Sequence, residues 1–174
     1  VNFNPEKEFG ETPLVTIQLP LYNELYVIER LIDKVCEIDY PKDKLEIQVL
    51  DDSTDETVDV VAKVVEAKQK QGFNIEHVKR SNREGFKAGA LKEGLKIASG
   101  EFVAIFDADF IPHSDFLEKT LKFFSDEKVG MVQTRWEHLN GDHSLITRAQ
   151  ALALDGHFVI EQSVRNKAGF FINF

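Results

Sequence analysis

Apolar positions along this chain switch between short runs and a spacing of three and four, and the switches mark out its elements. Leu14-Val-Thr-Ile-Gln-Leu19 predicts a strand, stopped by Pro20. From Glu24 to Ile38, Val27, Ile28, Leu31, Ile32 and Val35 fall on one face of a helix. Tyr40-Pro41 ends it, since a residue before proline avoids the helical region. Leu45 to Leu50 predicts a second strand. Thr54 to Gln71 predicts a helix with Val58, Val61, Val64 and Val65 in step, Ser53 or Thr54 as its cap and Gly72 as its close. Phe73 to Val78 predicts a third strand. Phe86 to Ala98 predicts a small-residue helix, closed by a turn at Ser99-Gly100. Phe102 to Phe106 is apolar throughout, which predicts a fourth strand at the centre of the sheet.

Beyond Pro112 the pattern predicts a helix over Phe116 to Phe124 and a strand over Val129 to Arg135. A longer helix follows from Leu145 to about Val164, with Leu145, Ile146, Ala149, Leu152 and Ala153 on one face. Strands alternating with helices predict an α/β fold with a mostly parallel sheet. A length of 174 residues suits one domain over 1–174. The apolar end Phe170-Phe-Ile-Asn-Phe174, with no closing cap, suggests truncation at the C-terminus.

Composition narrows the setting. No run of about eighteen apolar residues exists, so nothing in the sequence spans a bilayer as a helix. Val1 to Glu11 is polar and acidic and lacks the features of a signal peptide. The single cysteine, Cys36, excludes an internal disulfide; it reads as a small buried side chain in a reducing, cytosolic setting. A formal charge of −9 argues against a nucleic-acid partner, which needs clustered Lys and Arg. Yet Lys79 to Lys96 holds six basic residues (Lys79, Arg80, Arg83, Lys87, Lys92, Lys96) against Glu84 and Glu93, a local net of +4. A solvated helix face accounts for Lys92 and Lys96 as readily as a ligand does.

Ligands of open α/β sheets bind outside the carboxyl ends of the strands. By that rule Tyr22-Asn23-Glu24, Asp51-Asp52-Ser53-Thr54-Asp55, Lys79-Arg80-Ser81-Asn82-Arg83 and Asp107-Ala108-Asp109 crowd one edge of the sheet. Asp107 and Asp109 are two apart, so an extended chain points both carboxylates one way. Close carboxylates repel unless a cation joins them. Mg²⁺ or Mn²⁺ suits such a pair, taking one or two carboxylates plus substrate phosphate. The plainer alternative is an aspartate capping the following turn. Asp51 and Asp52 could serve the macrodipole of the next helix, but one acid suffices there, which leaves Asp52 above all to accept from a base imide or ribose hydroxyl. Lys87 at a helix start after Gly85 suits a diphosphate, or is a surface lysine. Tyr22 can stack on a base or simply rim the core.

Together these segments resemble the inverting glycosyltransferases of family two, with the GT-A fold. The matching stretches are Leu19-Pro-Leu-Tyr-Asn-Glu24, Leu50-Asp-Asp-Ser-Thr-Asp55, Arg83-Glu-Gly-Phe-Lys-Ala-Gly-Ala-Leu91 and Phe106-Asp-Ala-Asp-Phe-Ile-Pro112. Val132 to Asn140 and Ala151 to Gln162 are similar to the cellulose-synthase-like, glucomannan (β-1,4-mannan) synthase branch. The resemblance implies a three-layer, Rossmann-like α/β/α domain that binds a UDP- or GDP-linked sugar. It implies that Tyr22, Glu24, Asp51, Asp52, Lys87 and Asp107 contact that donor, and that Asp109 with Asp107 holds Mg²⁺ or Mn²⁺. The metal and cations stabilise the leaving diphosphate, and a carboxylate base deprotonates a glycan acceptor, with inversion, in polysaccharide biosynthesis of the cell wall.

The sequence departs from the pattern in three ways. The Thr-Glu-Asp type motif that carries the base is absent, so the base is expected beyond residue 174 and this donor-side part alone is expected to be inactive. Gln133-Thr-Arg-Trp136 has the letters of an acceptor-side motif but precedes the base, and is expected to be an edge strand instead. The membrane helices typical of such synthases are missing, which implies a membrane-embedded parent enzyme whose domain faces the cytoplasm. Other aspartate-based α/β folds fit less well: a receiver domain places its acid pair after the first strand, an Asp-x-Asp phosphatase likewise, and a nucleotidylyltransferase wants a Gly-rich loop where Pro20 to Glu24 stands. A non-catalytic nucleotide-binding α/β module remains the alternative to an enzyme.

Overall fold

The computed structural model describes residues 11–134, 143–156, 164–165 and 168. Its elements are β1 (Val15–Leu21), α1 (Ile28–Cys36), β2 (Leu45–Asp51), α2 (Thr57–Lys70), β3 (Asn74–Lys79), α3 (Phe86–Leu95), β4 (Phe102–Ile105), α4 (Phe116–Leu121) and α5 (Leu145–Gly156). The chain divides into two compact units, Pro5–Ser125 and residues 126–174 with 1–4.

In the first unit all four strands are parallel, in the order β3-β2-β1-β4. β1 is buried along its whole length, as a central strand covered on both faces must be. Alternate residues serve different layers. Ile17 and Leu19 of β1 and Ile47 and Val49 of β2 join Ile28, Leu31, Ile32, Val61 and Val65 of α1 and α2 in the apolar core. The other face carries Gln18 and Gln48, whose side chains hydrogen-bond at 3.0 Å, and α3 lies against them. Gly94 lets it approach: a Cβ there would sit 2.6 Å from the Gln18 amide nitrogen. The expected α/β/α architecture is therefore present.

Several local expectations need correction. β4 is not central: among the described residues it is an edge strand, with Val103 and Ile105 exposed. An apolar run signals burial on both faces only where both are covered. Val129 to Arg135 does not form the expected strand over its described part, residues 129–134, and Arg135 lies outside the described residues. Gln133 and Thr134, expected on an edge strand, are likewise in no strand; Trp136 lies outside the described residues. α2 starts at Thr57 rather than Thr54, because Ser53 and Thr54 bond elsewhere and the Asp55 carboxylate accepts from the Thr57 N–H at 3.0 Å. Cys36 ends α1 half-buried, and its burial pushes the thiol up to about 11.

In the second unit α5 begins with a reciprocal pair in which the Ser144 N–H donates to Thr147 Oγ1 at 2.8 Å and the Thr147 N–H to Ser144 Oγ at 3.2 Å. Leu145, Ile146 and Leu152, expected on one face of this helix, are exposed. The remainder of the helix expected to reach Val164 lies largely outside the described residues. Among the described residues no helix is long and apolar enough to cross a membrane.

The turn before β4 packs closely against β1, since a Cβ on Gly100 would lie 2.4 Å from the Thr16 backbone nitrogen. Gly100→Ala is expected to cost about 1–3 kcal/mol through forced displacement of backbone. Gly130→Ala, where nothing lies within 4 Å, should stay within about 0.5 kcal/mol. Urea denaturation of both variants checks the contrast, and equal midpoints would contradict it.

Candidate functional site

The chain runs from β1 outward to β2 and β3, then returns to place β4 on the other side of β1. This reversal opens a crevice at the carboxyl ends of the strands. A cavity of about 380 Å³ sits there, within the range of small-ligand sites. Tyr22, Glu24, Asp52, Lys87, Asp107 and Asp109 all line it, with Arg83. Six of the seven residues singled out from the sequence thus meet at one place.

Register explains part of the convergence. Leu21 pairs with Asp51, and Asp51 with Lys79, so Tyr22, Asp52 and Arg80 leave three neighbouring strands at one level. Asn23 staples the first two ends together. Its N–H donates to Ser53 Oγ at 2.9 Å, and its Oδ1 accepts from the Thr54 N–H at 2.9 Å. Asn23 does so at φ 57°, a left-handed conformation that asparagine tolerates better than most residues.

Asp52 is nearly buried and receives both arms of Arg80, Nε to Oδ1 at 2.6 Å and Nη2 to Oδ2 at 2.5 Å. The same guanidinium donates to the carbonyls of Glu84 at 2.6 Å and Phe86 at 2.8 Å. Hydrogen bonding to Asp52 raises the Arg80 pKa further above its ordinary value. One side chain therefore fixes the loop leading into α3. That loop turns through two left-handed residues, Gly85 (φ 71°) and Phe86 (φ 49°). It also needs Gly89, where a Cβ would fall 1.9 Å from the Glu84 carbonyl oxygen.

The loop carries cations onto the acids and aromatics opposite. The Arg83 guanidinium lies 3.3 Å from the centre of the Tyr22 ring, and its Nε is 3.8 Å from Asp52 Oδ2. Lys87, in the first turn of α3, forms an ion pair with Asp107. Asp107 and Asp109 follow β4 rather than extending it. A turn in which the Phe110 N–H donates to the Asp107 carbonyl brings both to the cavity with Ala108 buried between them. The expected common direction is therefore produced by a turn and not by strand alternation.

Asp51 stands apart. Its side chain is fully buried, with Oδ2 2.7 Å from His77 Nε2 and Oδ1 accepting from the Ser53 N–H at 2.8 Å. Burial pushes its pKa up, but the bonds from His77 and Ser53 outweigh that, and the pKa lies below the usual carboxylate value. Asp51 does not line the cavity. It braces β2 against β3 behind the site. Arg80, Arg83 and Asn23, which the sequence places at the same sheet edge without a role of their own, are parts of the site; the +4 segment is a further signal for the two arginines.

Asp107 and Asp109 offer hard oxygen donors, and among the described residues no third His, Cys or acid completes a metal cage. A pair with open space beside it fits Mg²⁺ or Mn²⁺, which draw remaining ligands from water and phosphate, better than it fits a structural metal.

Arg80→Lys keeps the charge but loses the fork that grips Asp52 and two carbonyls. The substitution is expected to cost about 1–3 kcal/mol, measured by urea denaturation; an unchanged midpoint would show that the fork is dispensable.

The glycosyl transferase family 2 profile matches residues 16–174. Among curated relatives, the chain is 45% identical over 167 residues to a probable glucomannan 4-beta-mannosyltransferase 11 of Oryza sativa subsp. japonica. It is 44% identical over 167 residues to glucomannan 4-beta-mannosyltransferase 9 of Arabidopsis thaliana. Each alignment covers 93% of this chain but only 29% and 31% of the relatives, so the chain spans about a third of their length. A mannosyltransferase from Pyrobaculum calidifontis, solved in complex with GDP-Man and Mn²⁺, superposes with a TM-score of 0.64 at 38% identity, over 72% of this chain and 37% of that one. On these matches the chain belongs to glycosyl transferase family 2.

Proposed function

We propose that residues 1–174 form the donor-side part of an inverting hexosyltransferase that passes a sugar from a nucleoside diphosphate to a glycan acceptor in polysaccharide synthesis. The observation that carries this reading is the meeting of Asp107, Asp109 and Lys87 with Tyr22 and Asp52 around one crevice. Two acids and a cation match the two charges of a metal-bound diphosphate, and an aromatic ring and a buried carboxylate match a nucleoside. Similarity to glucomannan mannosyltransferases, and to a structure holding GDP-Man, favours a GDP-linked mannose over a UDP sugar. The parent enzyme is membrane-embedded in this reading, with the domain facing the cytoplasm.

Asp109 and Asp107 would hold Mn²⁺ or Mg²⁺, which supplies Lewis-acid stabilisation of the departing diphosphate. Lys87 adds a positive charge on the same side. Tyr22 and Glu24 border the nucleoside, and Asp52 positions the loop through Arg80 while remaining close enough to accept from the base. Asp51 acts from behind by fixing β2 and leaves the donor to its neighbours. In this reading the base that deprotonates the acceptor hydroxyl lies in the part of the relatives' length that this chain does not span.

Titration calorimetry with Mn²⁺ present should show GDP binding more tightly than UDP. Asp109→Ala is expected to weaken Mn²⁺-dependent GDP binding by about 10- to 100-fold, the equivalent of one charge-assisted contact. Unchanged heats would reject its role.

Incubated with GDP-mannose and β-mannan oligosaccharides, the 174-residue chain should bind donor without extending the acceptor. Chain extension by the purified protein would show that the base lies within it.

A further inference from the structure

The loop and first turn of α3 place their cations on the groups a donor would need. Arg83 covers the face of Tyr22, Arg80 fills Asp52, and Lys87 is paired with Asp107. The three contacts differ in how easily they are given up. Arg80 is nearly buried and held by four hydrogen bonds. Lys87 has one partner among the described residues, and its side chain is 54% exposed. A flexible ammonium at the mouth of the cavity can change partners at little cost; a forked guanidinium tied to two backbone carbonyls cannot.

Resting on the donor-site reading above, we propose that Lys87 is a resident counter-ion that keeps a divalent cation off Asp107 until a diphosphate arrives to receive the lysine. Lys87 and a metal ion compete for one carboxylate, and the ammonium repels the incoming charge. A diphosphate removes both obstacles by offering Lys87 a second anion in the same cavity. The cation and nucleotide then bind together with positive coupling, and the cation alone binds poorly. Coupling of this kind is reciprocal: whatever factor the nucleotide adds to metal affinity, the metal adds to nucleotide affinity. Asp109, exposed and outside the lysine pair, is the cation's foothold, and Asp107 becomes available only on the exchange.

The test compares Mn²⁺ affinity, read from the electron paramagnetic resonance of free Mn²⁺, for the 174-residue chain and its Lys87→Met variant, with and without GDP. Without nucleotide, Lys87→Met should bind Mn²⁺ about tenfold more tightly, because a like charge has been removed from the carboxylate. GDP should raise Mn²⁺ affinity by a smaller factor in the variant than in the parent. Lys87→Arg should restore weak Mn²⁺ binding. Adding Asp107→Asn to Lys87→Met should erase the gain. Lys87→Gln repeats the test with a different neutral side chain, and circular dichroism verifies the fold of each variant. Unchanged or weaker Mn²⁺ binding by both neutral variants would overturn the exchange, as would a gain that survives Asp107→Asn. If GDP binds neither parent nor variant, the donor reading fails, while the nucleotide-free Mn²⁺ comparison still decides whether Lys87 guards Asp107.

Discussion

The forked contact between Arg80 and Asp52 joins the two halves of the crevice. Asp52 belongs to the end of a central strand, and Arg80 to the start of the loop that carries Arg83 and Lys87. Ion pairs withdrawn from water add little net stability, because desolvation offsets the attraction, but leaving one member unpaired is costly. The consequence here is positional. The donors of Arg80 reach Asp52, the Glu84 carbonyl and the Phe86 carbonyl together, which ties the loop to the path it takes. That path requires two left-handed residues and a glycine at position 89, and it delivers Arg83 over Tyr22 and Lys87 to Asp107.

The sheet supplies the other half with less effort. Parallel strands in register end at similar heights, and the reversal of strand order beside β1 leaves a gap that no helix fills among the described residues. Polar residues gathered there need not be buried to satisfy the fold. The core beneath them is apolar and continuous through α1, α2, β1 and β2, so the strand ends are held rigidly while their side chains face the cavity.

Much of this was legible in the sequence because it follows from periodicity. Strand and helix alternation predicts the parallel sheet, the rule for carboxyl ends then places Tyr22, Glu24, Asp52, Asp107 and Asp109 at one edge, and Lys87 follows from its position at a helix start after Gly85; all six line the cavity. What could not be read depended on side chains choosing among partners. Asp51 and Asp52 are neighbours of identical chemistry, yet strand alternation turns one inward to His77 and leaves the other at the cavity. Ser53 looked like a helix cap, but Asn23 offered it a better-placed partner across the strands. The centrality of β4 was misjudged since hydrophobic content does not report which neighbours are present. Arg80 and Arg83 are legible as basic residues at the end of the third strand but their roles are not, because a partner 28 residues away in sequence for Arg80 leaves no local pattern.

Charge balance links these parts to ligand choice. A protein of net charge −9 concentrates cations at this crevice and sets acids against them. Opposed charges here satisfy one another, Arg80 with Asp52 and Lys87 with Asp107. A ligand carrying only negative charge would strand Asp107 by taking its lysine, and a cation alone would strand Lys87 by taking its aspartate. A diphosphate and a divalent cation arriving together would replace both halves of the pair at once, leaving no charge without an opposite. In the proposed reading, selectivity for a metal-bound diphosphate would follow from the Lys87–Asp107 ion pair itself, because only a ligand carrying both signs of charge can exchange with both of its members.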